Sequence, residues 1–118
     1  MKKKKTRNYR CYKGVLHTFG ENGSSIYHKR IYYRYATDEM GHECAREILT
    51  GRMFPTSIGI LLGINSNVDN FVSGSTEVFD NEVDEYLNRI LFDQRIFQKE
   101  VDEILFYKEG NTKKKIKM

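Results

Sequence analysis

The first 36 residues interleave cations with aromatic rings. Tyr9, Arg10, Tyr12, Lys13, His28, Arg30, Tyr32 and Arg34 alternate within two short runs. That mixture suits nucleic acid: cations neutralise phosphates, with affinity that falls as salt rises, and rings give unpaired bases a face on which to stack. A two-stranded ribbon carrying such residues can also enter a major groove. Arg10, Lys13, Arg30 and Arg34 are the expected phosphate contacts, Tyr12 and Tyr32 the stacking residues, and His28 belongs to the same set. Tyrosine and arginine also occupy any half-exposed sheet, so composition alone does not separate a binding face from a solvated one.

A second constellation is acidic. Residues 69–105 hold ten Asp and Glu against three basic residues, whereas residues 1–36 hold ten Lys and Arg against one acid, Glu21. The formal net charge of +4 hides this division. A row of carboxylates can imitate phosphates and dock on the basic groove of another protein, and Asp84, Glu85, Asp102 and Glu103 would carry such docking. Arg89, Arg95 and Lys99 interrupt that surface, and charges opposite an apolar seam ordinarily form a solvated helix face.

Catalysis has little to work with. His42-Glu43-Cys44 lacks the His-Glu-x-x-His spacing that puts two metal ligands on one helical face, and three histidines in all leave few options. Cys44 with His17 or His28 would make a nucleophile and its base only if the fold brought them together. The glycines form neither a GxGxxG nor a GxxxxGK[ST] phosphate loop. No catalytic residue, metal ligand or cofactor is expected.

The elements that must position these residues follow from periodicity and turn chemistry. Tyr9 to Phe19 and Ser25 to Thr37 are rich in β-prone residues and flank Gly20-Glu21-Asn22-Gly23-Ser24, a hairpin signature. In the second run Tyr27, Lys29, Ile31, Tyr33 and Tyr35 share a face fit for a core, and Ile26, His28, Arg30, Tyr32 and Arg34 share a basic, aromatic one. Thr37 to Gly51 reads as a helix, with Thr37 as N-cap, acids in the first turn, and Met40, Cys44 and Ile48 on one stripe. Between Met53 and Phe71, Ile58 to Ile64 is expected in the core as a strand or short helix. Asn65 to Asn70 has a loop composition, and Phe71 to Phe79 reads as a further extended piece. From Asp80 to Tyr107 the pattern is helical, ending at Glu109-Gly110. Val83, Leu87, Ile90, Gln94, Phe97, Val101 and Ile104 form its seam, and a break is expected near Phe92-Asp93-Gln94.

These 118 residues, 39% hydrophobic and 31% charged with a single proline, suit one folded domain with its own core. The domain is expected over residues 9–110, between basic flexible tails at 1–8 and 111–118. No stretch reaches the length of a membrane span, so no membrane partner is expected. Lys2 to Lys5 looks like the opening of a signal peptide, but Thr6 to Lys13 stays polar, so export is not expected. Cys11 and Cys44, 33 positions apart without CxxC spacing, read as reduced thiols of a cytoplasmic protein.

The order strand, strand, helix with a basic sheet, over Tyr9 to Gly51, resembles the small DNA-binding modules that open phage-type integrases and those of AP2-like domains. The likeness lies in patterning such as Ile31-Tyr32-Tyr33-Arg34-Tyr35-Ala36-Thr37 running into Asp38-Glu39, without a shared motif.

The expected fold is α+β: an N-terminal β-hairpin or small antiparallel sheet packed by a short helix, then a long amphipathic C-terminal helix or helix pair. The expected function is non-enzymatic binding of nucleic acid or a nucleoprotein complex through the basic, Tyr-rich hairpin. The alternative is a phage or mobile-element inhibitor or adaptor that docks on a host nucleic-acid enzyme. A third reading is a homodimer joining the basic sheet of one copy to the acidic helix of another.

Overall fold

In a computed structural model, residues 8–19, 25–63 and 70–105 are described. The two β-prone runs form β1 (Cys11–Phe19) and β2 (Ser25–Thr37), paired antiparallel with Leu16 opposite Lys29 and His17 opposite His28. β3 (Glu43–Glu47) and β4 (Met53–Phe54) continue the meander, α1 (Ser57–Leu61) follows, and β5 (Asn70–Val78) returns to pair with β1. The strand order is β4-β3-β2-β1-β5. α2 (Asp80–Leu91) and α3 (Gln94–Leu105) complete the α+β fold expected from the sequence. Residues 20–24, residues 65–69 of the expected loop 65–70, residues 1–7 and 111–118 of the expected tails and the helix stop at 109–110 lie outside the described residues, while Asn70 opens β5.

The sheet curls until its two edge strands meet. Thr56 bridges Val72 in parallel, and the Val72 amide donates to the Pro55 carbonyl at 2.9 Å. Proline has no amide to leave unpaired, so it suits a strand edge that only accepts. Curling separates an inner from an outer face. The inner face carries the core, with Leu16, Ile31, Tyr33, Ala45, Phe54 and Val72 all at most 2% exposed. It is the face expected from the alternation in β2, and Tyr27, Tyr35 and Tyr12 pack against it.

The helix pair grips both faces. α3 sends Ile104 into the inner core, and α2 lays Val83 and Leu87 against Cys11, Val78, Tyr32 and Ile48 on the outer face. The break falls at Phe92 and Asp93, as the sequence predicts. The Asp93 carboxylate accepts the Arg95 amide at 2.8 Å and so caps the start of α3. At the other end of α3, Arg52 donates to the Ile104 and Leu105 carbonyls, satisfying acceptors the helix leaves open.

Two expectations fail. Residues 37–50 are not a helix. Asp38 Oδ1 accepts the Met40 and His42 amides, Gly41 takes φ +87°, and the chain reverses into β3. The four-residue spacing of Met40, Cys44 and Ile48 is also an even spacing, which satisfies a strand as well as a helix. Met40 is 77% exposed, whereas Ala45 and Glu47 point into the core. This third strand stands where the expected strand, strand, helix order places the helix.

The apolar run after Pro55 forms the short helix that is one of its two expected forms, but not in the core. Thr56 caps α1 through the Gly59 amide, and the one-turn helix buries only Gly59, leaving Ile58, Leu61 and Leu62 at 62%, 80% and 69% exposure. Pinning of residues 55 and 56 to the edge of β5 holds this segment outside the core.

Thr18 is fully buried, and its hydroxyl has no hydrogen-bond partner among the described residues. A buried hydroxyl without a partner costs about 1–3 kcal/mol. Thr18→Val keeps the β-branched shape and removes that cost. It is expected to raise unfolding free energy by about 1 kcal/mol in urea titrations.

Candidate nucleic-acid interface

Strand register arranges the outer face in cross-strand rows. His28, His17 and Phe71 form one row; Arg30, Val15 and Ser73 form the next; Tyr32, Lys13 and Thr76 form a third. β3 extends the surface where Arg46 lies opposite Arg34.

α2 occupies the third row. Lys13 Nζ and the Tyr32 hydroxyl both donate to Glu82 Oε2, at 3.0 and 2.9 Å, and the Tyr32 ring packs on Tyr86 with centroids 4.6 Å apart. The Lys13 hydrogen bond, then that of Tyr32, holds the Glu82 carboxyl below its ordinary range. Two expected nucleic-acid residues therefore anchor α2. Arg10 pairs with Glu77 at 3.5 Å, and the Arg34 guanidinium sits 4.7 Å from the centroid of Tyr9. Tyr12 lies on the opposite, inner face, its ring centroid 5.8 Å from Tyr33 and 5.0 Å from Tyr35.

The first two rows lie beyond α2. Phe71 stacks between His17 and Phe19, with centroid distances of 4.7 and 5.5 Å and interplanar angles of 16° and 15°. Rings from two strands interdigitate here because side chains two residues apart on β1 leave room for one ring from β5. His28 meets His17 edge to face at 4.8 Å, and Arg30 projects from the adjoining row. His28 and Arg30 are exposed, while His17, Phe19 and Phe71 are half-buried. Of the residues expected to bind nucleic acid, the structure brings only His28 and Arg30 onto this surface. Sequence reading missed His17, Phe19, Phe71 and Ser73. Their signal was the parity that puts His17 and Phe19 on one face of β1, but pairing with Phe71 depends on β5, more than 50 residues away.

His17 Nε2 and Ser73 Oγ share a hydrogen bond of 2.7 Å. Burial, then the neighbouring His28, pushes the His17 pKa down, favouring the neutral ring. The unfolded chain therefore binds this proton more readily than the fold, so the stability contribution is intact above pH 6.5 and declines as pH falls through the lowered folded value. Melting temperatures from pH 7 downward check the sign: wild type is expected to lose stability relative to His17→Gln as the solution is acidified.

The other candidates are held apart. The Cys44 thiol lies against Asp38 and the His42 carbonyl, and burial followed by the Asp38 charge raises its pKa, which keeps it a thiol. His17 and His28 are paired with each other instead of with Cys44. Among the described residues no group of three or more His, Cys, Asp and Glu could hold a metal ion.

On the acidic side Glu103 accepts from Lys29 and Lys99, and Asp102 accepts from Gln98. Glu85 is exposed and Asp84 half-buried. No helix among the described residues is long and apolar enough to cross a membrane. No family model, curated protein or solved structure matches the chain.

Proposed function

We propose that this protein binds nucleic acid, without catalysing a reaction, through the outer face formed by His17, Phe19, His28, Arg30, Phe71 and Ser73. The observation that carries the reading is the ring cluster beside Arg30, cation and π surface on one face beyond the reach of α2. Arg34 and Arg46, opposite each other on β2 and β3, add positive charge on the far side of the row that α2 occupies. Docking of a protein partner on Asp84, Glu85, Asp102 and Glu103 has less support, because Glu103 already holds two lysines of the same chain.

The test is an anisotropy titration against labelled oligonucleotides across a range of salt. Affinity should fall steeply with salt, and Arg30→Ala should reduce the log–log slope by about one. Affinity that hardly changes with ionic strength overturns the reading.

A further inference from the structure

We infer that the ligand of this face is single-stranded nucleic acid, held by stacking of unpaired bases; the inference rests on the reading above. The argument begins with the supply of cations. Within the described fold Lys13 is paired with Glu82 and Lys29 with Glu100 and Glu103, while Arg10 makes an exposed 3.5 Å contact with Glu77. In the first two rows Arg30 is the one Lys or Arg, with Arg34 and Arg46 lying beyond the row that α2 occupies. A duplex binder relies on many phosphate contacts, commonly about six to ten. Among the described residues this face offers few cations for that purpose.

Ring surface is what it offers instead. Phe19, Phe71 and His17 stand nearly parallel in one column in which Phe71 has both faces covered, and the exposed ring beside it is that of His28, turned across the end of the row. The bases of a duplex already have both faces in their own stack, so such a column gains little from them. An unpaired base has a free face, and stacking on an aromatic side chain favours any base. The half-buried rings also favour a flexible strand, which can follow the surface, over a rigid duplex. Apolar Val15 between Arg30 and Ser73 continues the surface without placing a charge against a base.

The experiment compares four labelled ligands at one salt concentration: a single-stranded DNA, the RNA of the same sequence, the DNA duplex, and an abasic strand of equal length and charge. The intact single strands are expected to bind at least about tenfold more tightly than the duplex or the abasic strand. His28→Ala, at an exposed position that tests the platform without emptying the core, is expected to lower single-strand affinity about tenfold while leaving the salt slope unchanged. Its melting temperature reports whether the fold is kept, and Phe71→Leu gives a second measure of the same platform.

Abasic or duplex ligands that bind as tightly as intact single strands overturn the single-strand inference while leaving nucleic-acid binding in place. Salt-independent or absent binding of all four overturns both. A difference between DNA and RNA, with both above the abasic strand, supports stacking and assigns the sugar preference.

Discussion

Replacing Lys29 with alanine is expected to lower unfolding free energy by about 3 kcal/mol and the melting temperature by roughly 10 °C. Lys29 stands on the inner face of β2, its side chain 13% exposed, and donates to Glu100 Oε1 at 3.1 Å and Glu103 Oε1 at 2.9 Å on α3. Burial alone would lower its pKa, but the hydrogen bonds and charges of Glu103 and Glu100 outweigh burial and raise it. Glu100 also accepts from the Tyr86 hydroxyl at 3.0 Å, so one ammonium joins β2, α3 and α2. Its removal leaves two carboxylates side by side, one of them only 16% exposed, without their shared cation. Breaking a buried pair from one side costs far more than the intact pair contributes, because the stranded charge keeps its desolvation penalty.

The pH dependence separates this mechanism from lost packing. Burial tends to raise the Glu103 pKa, yet hydrogen bonds from Lys29 and Lys99 leave it below its ordinary value of 4.5. That contribution is present above the ordinary value and disappears as pH falls through the lowered one. Without Lys29 the two acids repel, so acidification is expected to narrow the gap between Lys29→Ala and wild type. The triple variant Lys29→Met, Glu100→Gln, Glu103→Gln is expected to recover most of the lost stability, as neutral replacement of whole buried ion clusters does elsewhere. Urea denaturation at pH 7 and near pH 4 reads both outcomes. A deficit that is independent of pH and persists in the triple variant rejects the electrostatic account.

The same contact explains what the division of charge along the chain accomplishes. Basic strands and acidic helices meet through Lys13 and Glu82 and through Lys29 with Glu100 and Glu103, pairs separated by 69 to 74 positions. The sequence displays the division openly, but which ammonium meets which carboxylate depends on strand register and helix placement.

Local signals read well where they were unambiguous. The alternation in β2 identified both faces, and Asp93 marked the break between α2 and α3. They mislead where two periods fit the same residues, as at Met40, Cys44 and Ile48, or where apolar composition does not bring burial, as at Ile58, Leu61 and Leu62. Tyr12 was grouped with Tyr32 by composition, whereas register places it opposite Tyr33 on the inner face. The ring column needed β5, whose partner along the sheet is β1 and not its neighbour in sequence.

Gly14→Ala is expected to destabilise the protein by about 3 kcal/mol, well beyond the ordinary helix or strand penalty of a single methyl group. A Cβ at Gly14 would lie 2.6 Å from the Ser73 carbonyl oxygen, 2.9 Å from that of Gly74 and 2.9 Å from Cε1 of Tyr33. Two of these are backbone atoms of β5, and the third belongs to a ring that is 1% exposed, so none can move aside cheaply. The crowding arises at a bulge: Lys13 pairs with Thr76 and Val15 with Ser73, so two residues of β5 stand opposite Gly14. Gly74 takes φ +88° there, and the Tyr33 hydroxyl donates to its carbonyl. A Cβ at Gly74 would lie 3.5 Å from Gly14 Cα and 3.8 Å from the Lys13 carbonyl oxygen, ordinary contact distances, so Gly74→Ala strains mainly its own backbone, with a smaller expected cost of about 1–2 kcal/mol. Loss should be local before it is global. Hydrogen exchange in Gly14→Ala should accelerate first at the β5 amides, Val72 among them, while β2 and β3 amides stay protected. Because β5 carries Phe71 and Ser73, loosening this seam should also weaken oligonucleotide binding under conditions where the variant remains folded. Uniform acceleration across all strands would instead place Gly14 in the common core of the sheet and remove β5 as a separately stabilised element.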